Sequence, residues 1–199
     1  MAKAQPISGL DVDAPILASA CLIIETRMGE MLNFEPFIHK VDHVFELHQM
    51  RIAAKRLRYS MEIFQPIYRE YTSFGKEFEK AIQGIKDLQE HLGEIHDADV
   101  LVPRLEEHLA HLLRAGHGRD KKGELRTGVH LVDLEACQGM LTLCLKIRDE
   151  RDDRYRRFLN DWTQLREDQF FDNLLCLVKR AAEAESAATD VVAGAEASE

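Results

Sequence analysis

Apolar residues recur three and four positions apart through most of the chain, and strict alternation never persists, which commits the sequence to helices rather than strands. Helices are expected near residues 14–32, 40–70, 74–92, 98–115, 128–166 and 169–182. The expected fold is therefore all-α, an antiparallel helical bundle of about five to six helices. Asn33 to Pro36 separates the first two helices, and Gly93 followed by His96 and Asp97 reads as a stop and a new start. Asp97 then serves as an N-cap, Asp99 sits in the first turn, and Pro103 implies a late start or a kink. Gly116 to Gly128, with four glycines, reads as a mobile loop. Residues 1–13 are expected to be a flexible N-terminus, 14–182 a single helical domain, and 183–199 a disordered acidic tail rich in alanine and serine.

With 199 residues the chain is long enough for one ordinary core. The longest largely apolar run, Ile16 to Ile24, has nine residues, far short of the roughly 20 that span a bilayer, so no membrane association is expected. The N-terminus lacks the apolar core of a secretory signal, which points to the cytoplasm. The four cysteines form no CxxC pair, and Cys137 and Cys144, seven apart, read as core thiols on one helix face.

A net charge of −9 argues against a protein that coats nucleic acid by bulk charge. The charge is segregated, however. Residues 48–58 hold four cations and no acid, whereas the acids Glu183, Glu185, Asp190, Glu196 and Glu199 crowd the C-terminus. On the second helix Met50, Ala53, Ala54, Leu57, Met61 and Phe64 share the core face, and His48, Arg51, Lys55 and Arg58 form a continuous stripe beside it that Glu62 ends. Arg56 and Tyr59 lie on the other flank. A solvated face normally interleaves acids with bases, as Glu77, Glu79, Lys80, Lys86 and Asp87 do on the third helix. Like charges one turn apart repel, by roughly 3 kcal/mol per adjacent pair at an effective dielectric near 20. Such a stripe, bordering a groove, calls for an anionic partner.

Further basic candidates flank the core faces of other helices. Lys86 stands beside Gln89, whose amide falls within a core stripe and can orient a basic side chain. Arg104, His108 and His111 run beside Leu101, Leu105, Leu109 and Leu112. Arg148 lies four residues from Asp152, where the two either pair with each other or leave Arg148 for the groove. Arg151, Arg154, Arg156 and Arg157 alternate with acids as a solvated face does.

His48-x-x-Arg51 followed by Lys55-Arg56-Leu57-Arg58-Tyr59 resembles the first signature of the CHAD family, the conserved histidine α-helical domain. Leu88-Gln89-x-x-Leu92-Gly93-x-x-His96-Asp97 resembles the second, and Phe158 to Trp162 resembles the end of the family's last long helix. The resemblance covers residues 34–165. It implies a non-catalytic, cofactor-free module that binds inorganic polyphosphate through a basic helical groove, often at polyphosphate granules. The implied contacts are His48, Arg51, Lys55, Arg56, Arg58, Lys86, Arg104, His108 and Arg148. Family members usually carry two copies of the helical unit around a central channel, and only one is legible here. A CHAD-like half-unit either dimerises or offers half a binding surface. A homodimer is expected to draw on the N-terminal helix bearing Ile16, Leu17, Leu22, Ile23, Ile24 and Met28, apolar on more than one face.

Three other readings compete. His96-Asp97 is the central pair of an HD-type metal-dependent phosphohydrolase, although Asp97 already has a capping role. Convergence of His48, His91, His96, His108 and His111 would make a histidine-rich metal-binding helical protein; a carboxylate-bridged di-metal bundle would need Glu-x-x-His, and no Glu precedes any of the nine histidines by three. An acidic protein or RNA is the third candidate partner. Sequence-specific nucleic acid is not expected, because base stacking needs aromatics among the cations and only Tyr59 is near.

Overall fold

The computed structural model describes residues 3–115 and 131–196; Gly116 to Gly128, expected to form a mobile loop, falls outside them. The described residues are mostly helical, with no strand among them. The chain runs α1 (Ile16–Leu32), a short 3-10 turn (Glu35–Phe37), α2 (Val44–Tyr71), α3 (Gly75–Ala115), α4 (Leu131–Glu167) and α5 (Phe170–Glu196). Two compact units result where one domain is expected: Met1–Leu92 with Phe158–Glu199, and Gly93–Arg157.

In the first unit α1 packs against α2 and α5. Tyr68 stacks on Phe78 across the α2–α3 turn at 3.9 Å, and Arg58 meets Gln89 farther out, the pattern of antiparallel neighbours. Leu57, Met61, Tyr68, Phe78 and Ile85 fill the core together with Phe158, Trp162 and Phe171. Burial pushes the Tyr68 phenol well above its ordinary value of 10, and its hydroxyl is enclosed without a hydrogen bond among the described residues. Gly84 lets Phe170 approach α3, since a Cβ there would lie 2.9 Å from the ring. Gln169 takes a left-handed backbone (φ 53°) where α4 turns into α5. Trp162 Nε1 and Arg166 both donate to Glu35, at 3.1 and 3.0 Å, pinning the 3-10 turn to the end of α4.

The second unit is an α3–α4 hairpin whose seam holds Ile95, Ala98, Val102, Cys137, Cys144 and Tyr155. Cys137 and Cys144 are buried on one face, as their spacing implies.

Three expectations are corrected. Gly93 does not end α3. Leu88, Leu92, Ile95, Ala98 and Val102 carry one buried face straight through it, and that burial outweighs the ~1 kcal/mol a helical glycine costs. Asp97 is therefore an exposed mid-helix residue and not a cap, while Pro103 sits inside the helix. The second correction concerns the C-terminal stretch, which continues α5 to Glu196. Alanine favours helix, Val178 and Ala181 are buried, and Glu185 accepts the Leu17 N–H at 2.7 Å, capping an α1 N-terminus that has no cap of its own. Third, the N-terminal stretch is tied down at residue 5, where the Gln5 N–H donates to Glu30 and its carbonyl accepts from Arg27 at 2.9 Å.

Candidate functional site

His48, Arg51, Lys55 and Arg58 fall one turn apart on α2, because a 28-residue helix holds their spacing of three and four on a single line. Lys55 is exposed, and the other three are half-buried. Arg58 is fixed from three sides. Its Nε donates to Gln89 Oε1 on α3 at 2.9 Å, a second nitrogen donates to Glu62 at 3.0 Å, and its guanidinium lies 4.6 Å from the Tyr59 ring centre. Gln89 thus orients a basic side chain, as its place in a core stripe suggests. Lys55 approaches the same ring at 5.5 Å.

Arg51 is different. Its Nε is enclosed and makes no hydrogen bond among the described residues, and no carboxylate there lies within ion-pairing distance of it. Lys55 likewise has no carboxylate partner in that set. An enclosed N–H without an acceptor costs about 1 to 3 kcal/mol, which a bound anion would recover. Two adjacent, unneutralised cations followed by a rigidly oriented third are what the stripe offers chemically.

Arg56 turns the other way. It donates to Glu30 at 3.1 Å, and Glu30, 5% exposed, also receives Arg27 at 2.6 Å. Arg56 is thereby drawn into the packing of α1 on α2. Lys86, on the Gln89 side of α3, faces Glu90 at 4.0 Å.

Arg104, His108 and Arg148 belong to the second unit. Arg104 and His108 are exposed. Arg148 pairs with Glu106 and not with Asp152. Arg151, expected on a solvated face, is 8% exposed and bonds Asp99 at 2.9 Å, while Arg154 reaches Glu94 at 3.4 Å. Asp99 is in mid-helix for this partner, a role the capping pattern did not suggest. Carboxylates on α3 decide the nearest pairing of each, of which the spacing within α4 carries no sign, while Arg154 also reaches Glu150 one turn away at 3.7 Å.

Three clefts of the first unit, of about 520, 530 and 360 Å3, are lined by none of the stripe residues. The stripe is an open surface line. Among the described residues no three His, Cys, Asp or Glu side chains gather as metal ligands. No described helix is long and apolar enough to cross a membrane.

An all-helical module with a line of basic side chains, two of which, Arg51 and Lys55, have no carboxylate partner among the described residues, is the class that this geometry defines. Residues 33–126 match the model of the CHAD domain, a span that takes in all of α2, its stripe and α3, and this part of the chain is similar to that domain. No curated protein and no solved structure matches the chain.

Proposed function

We propose that the α2 stripe binds inorganic polyphosphate, or a similar phosphate-rich polyanion, without catalysing its turnover. The observation that carries this reading is the half-buried Arg51 guanidinium, without a carboxylate partner among the described residues, one turn from Lys55 and two turns from an Arg58 held in place by Gln89. A linear phosphate polymer lying along α2 meets a cation at about every 5.4 Å of helix rise. The match to the CHAD domain model supports the same ligand and, with it, a location in the cytoplasm at polyphosphate granules. The open form of the stripe suits a featureless polymer better than a small molecule, which would need a cleft. The exposed Tyr59 ring is taken up by Lys55 and Arg58, which favours phosphate over a stacked base.

Each charge-assisted phosphate contact contributes about 1.5 to 3 kcal/mol before ordering costs. Replacing Arg51, Lys55 and Arg58 together by alanine should therefore lower affinity at least ~100-fold on immobilised polyphosphate, with circular dichroism unchanged. Wild-type binding should fall steeply between about 50 and 500 mM salt, because the polymer's condensed counterions are released on binding. Undiminished retention by the folded triple variant would reject the site.

A further inference from the structure

Glu62 ends the cationic line of α2, one turn beyond Arg58 on the same face. It meets the arginine through one contact, Nη1 to Oε1 at 3.0 Å. The Arg58 Nε donates to Gln89, and Nη2 donates no hydrogen bond among the described residues. A guanidinium binds a carboxylate or a phosphate best when two parallel N–H groups engage two oxygens, and Glu62 supplies only one. The usual reasons for such a pair are weak here. Helix stability gains most when the acid stands four residues before the base, and on α2 the base comes first. Holding Arg58 in place does not require Glu62 either, because Gln89 at 2.9 Å and the Tyr59 ring at 4.6 Å already do so.

We propose that Glu62 is a resident competitor for Arg58 and decides which phosphate ligands gain the third cation of the stripe. This role rests on the proposed function of the stripe and narrows its ligand to a chain, as against a free phosphate or a pyrophosphate. Arg51 and Lys55 have no carboxylate partner among the described residues, so an anion meets no competitor there. Arg58 differs. Its carboxylate is tethered on the same helix, at an effective concentration on the order of millimolar, and a free anion must displace it. A chain already held at Arg51 and Lys55 delivers its next phosphate at a comparable effective concentration and adds the second oxygen contact that Glu62 lacks.

Helix geometry sets the length at which the exchange begins. The axial rise is about 6 Å from Arg51 to Lys55 and about 4.5 Å from Lys55 to Arg58, so a ligand must extend about 10 Å along α2 to take the place of Glu62. A small anion held at Arg51 and Lys55 stops short and leaves Glu62 paired. The exchange needs no backbone movement, since the Glu62 side chain is 37% exposed and its displaced carboxylate passes to water. Length is thereby selected on an open surface, without a cleft that measures the ligand.

A double-mutant cycle on the full chain tests this role: wild type, Glu62→Gln, Arg58→Ala and the double variant, each titrated calorimetrically with long-chain polyphosphate and with pyrophosphate in one buffer. Glu62→Gln keeps the side chain's size at a partly exposed position, so its thermal melt should match wild type. Its affinity for the long chain should rise about fivefold, the scale of one exposed ion pair no longer given up on binding. Affinity for pyrophosphate should change by less than about twofold, because the neighbouring charge is screened by salt. In the Arg58→Ala background the same substitution should alter long-chain binding by less than about twofold. Equal gains for both ligands, or a gain that persists without Arg58, would mean that Glu62 acts through net charge alone and would overturn its role as competitor. A wild type that binds the long chain with a Glu62→Gln variant no tighter would strike the competitor and spare the stripe. A wild type that binds no polyphosphate would remove both.

Discussion

The α2 stripe and the α3–α4 hairpin are both rich in arginine, yet they use it in opposite ways. On the hairpin every arginine set near the seam has its carboxylate: Arg148 has Glu106, Arg151 has Asp99 and Arg154 has Glu94. On α2, Arg51 and Lys55 have none among the described residues, and Arg58 at the end of the stripe is shared between the Gln89 amide and Glu62. Paired arginine holds helices together, while unneutralised arginine holds charge in reserve for a ligand. Counting cations would rank the two regions alike. Following each cation to its nearest carboxylate separates them.

The sharpest way to break this contrast is to remove a hairpin carboxylate. Asp99 and Arg151 are each about one-tenth exposed, so Asp99→Ala takes the nearer carboxylate from a largely buried guanidinium and leaves it the more exposed Asp152 at 3.6 Å. Breaking such a pair costs about 3 to 5 kcal/mol. The variant should lose stability by roughly 3 kcal/mol in urea titration, while the folded fraction keeps wild-type affinity for polyphosphate. A loss of affinity in folded Asp99→Ala would mean that the hairpin is part of the binding surface after all.

Gln89→Ala probes the opposite region with a smaller effect. It leaves charge and core nearly untouched but frees the Arg58 Nε, so the ordering of that side chain must be supplied on binding. Affinity should fall about threefold to tenfold, in line with one lost hydrogen bond to a charged group. Gln89→Glu should move the other way from a purely structural role. It would set a second carboxylate beside Arg58, in addition to Glu62, and weaken binding more than alanine does, although the side chain still reaches.

Much of this was legible before any coordinates. Period alone gives the helical segments, six of them where the structure joins two into α3, because burial at spacing three and four is a local property. The α2 stripe was equally legible, as one uninterrupted helix carries all of it. What could not be read was anything decided between helices. The break expected at Gly93 rested on local propensity, which the buried line from Leu88 to Val102 overrides. The C-terminal stretch looked disordered because its composition is polar, yet Glu185 finds the bare N-terminus of α1 far away in sequence. Arg56 and Arg148 border core faces of their helices just as Arg51 does. Only the positions of Glu30 and Glu106 show that two of these three already have partners.

Arg148 offers the finest test, since it stood among the expected contacts and carries the same charge as Arg51. It is 56% exposed and its partner Glu106 is 44% exposed, so their pairing lies in high dielectric and is screened by salt. Exposed ion pairs contribute about 0 to 1 kcal/mol. Arg148→Ala should therefore change stability by less than ~1 kcal/mol, and polyphosphate affinity by less than about twofold, even at low salt where a distant cation has its greatest influence. Lys55→Ala, also at an exposed position, removes the same unit of charge and should cost about tenfold or more, because no carboxylate among the described residues discounts it. The ratio of the two losses, measured in one buffer by the same retention assay, isolates pairing from net charge. Equal losses would mean that the polyanion responds to overall charge alone and that the bare state of the α2 stripe has no special role.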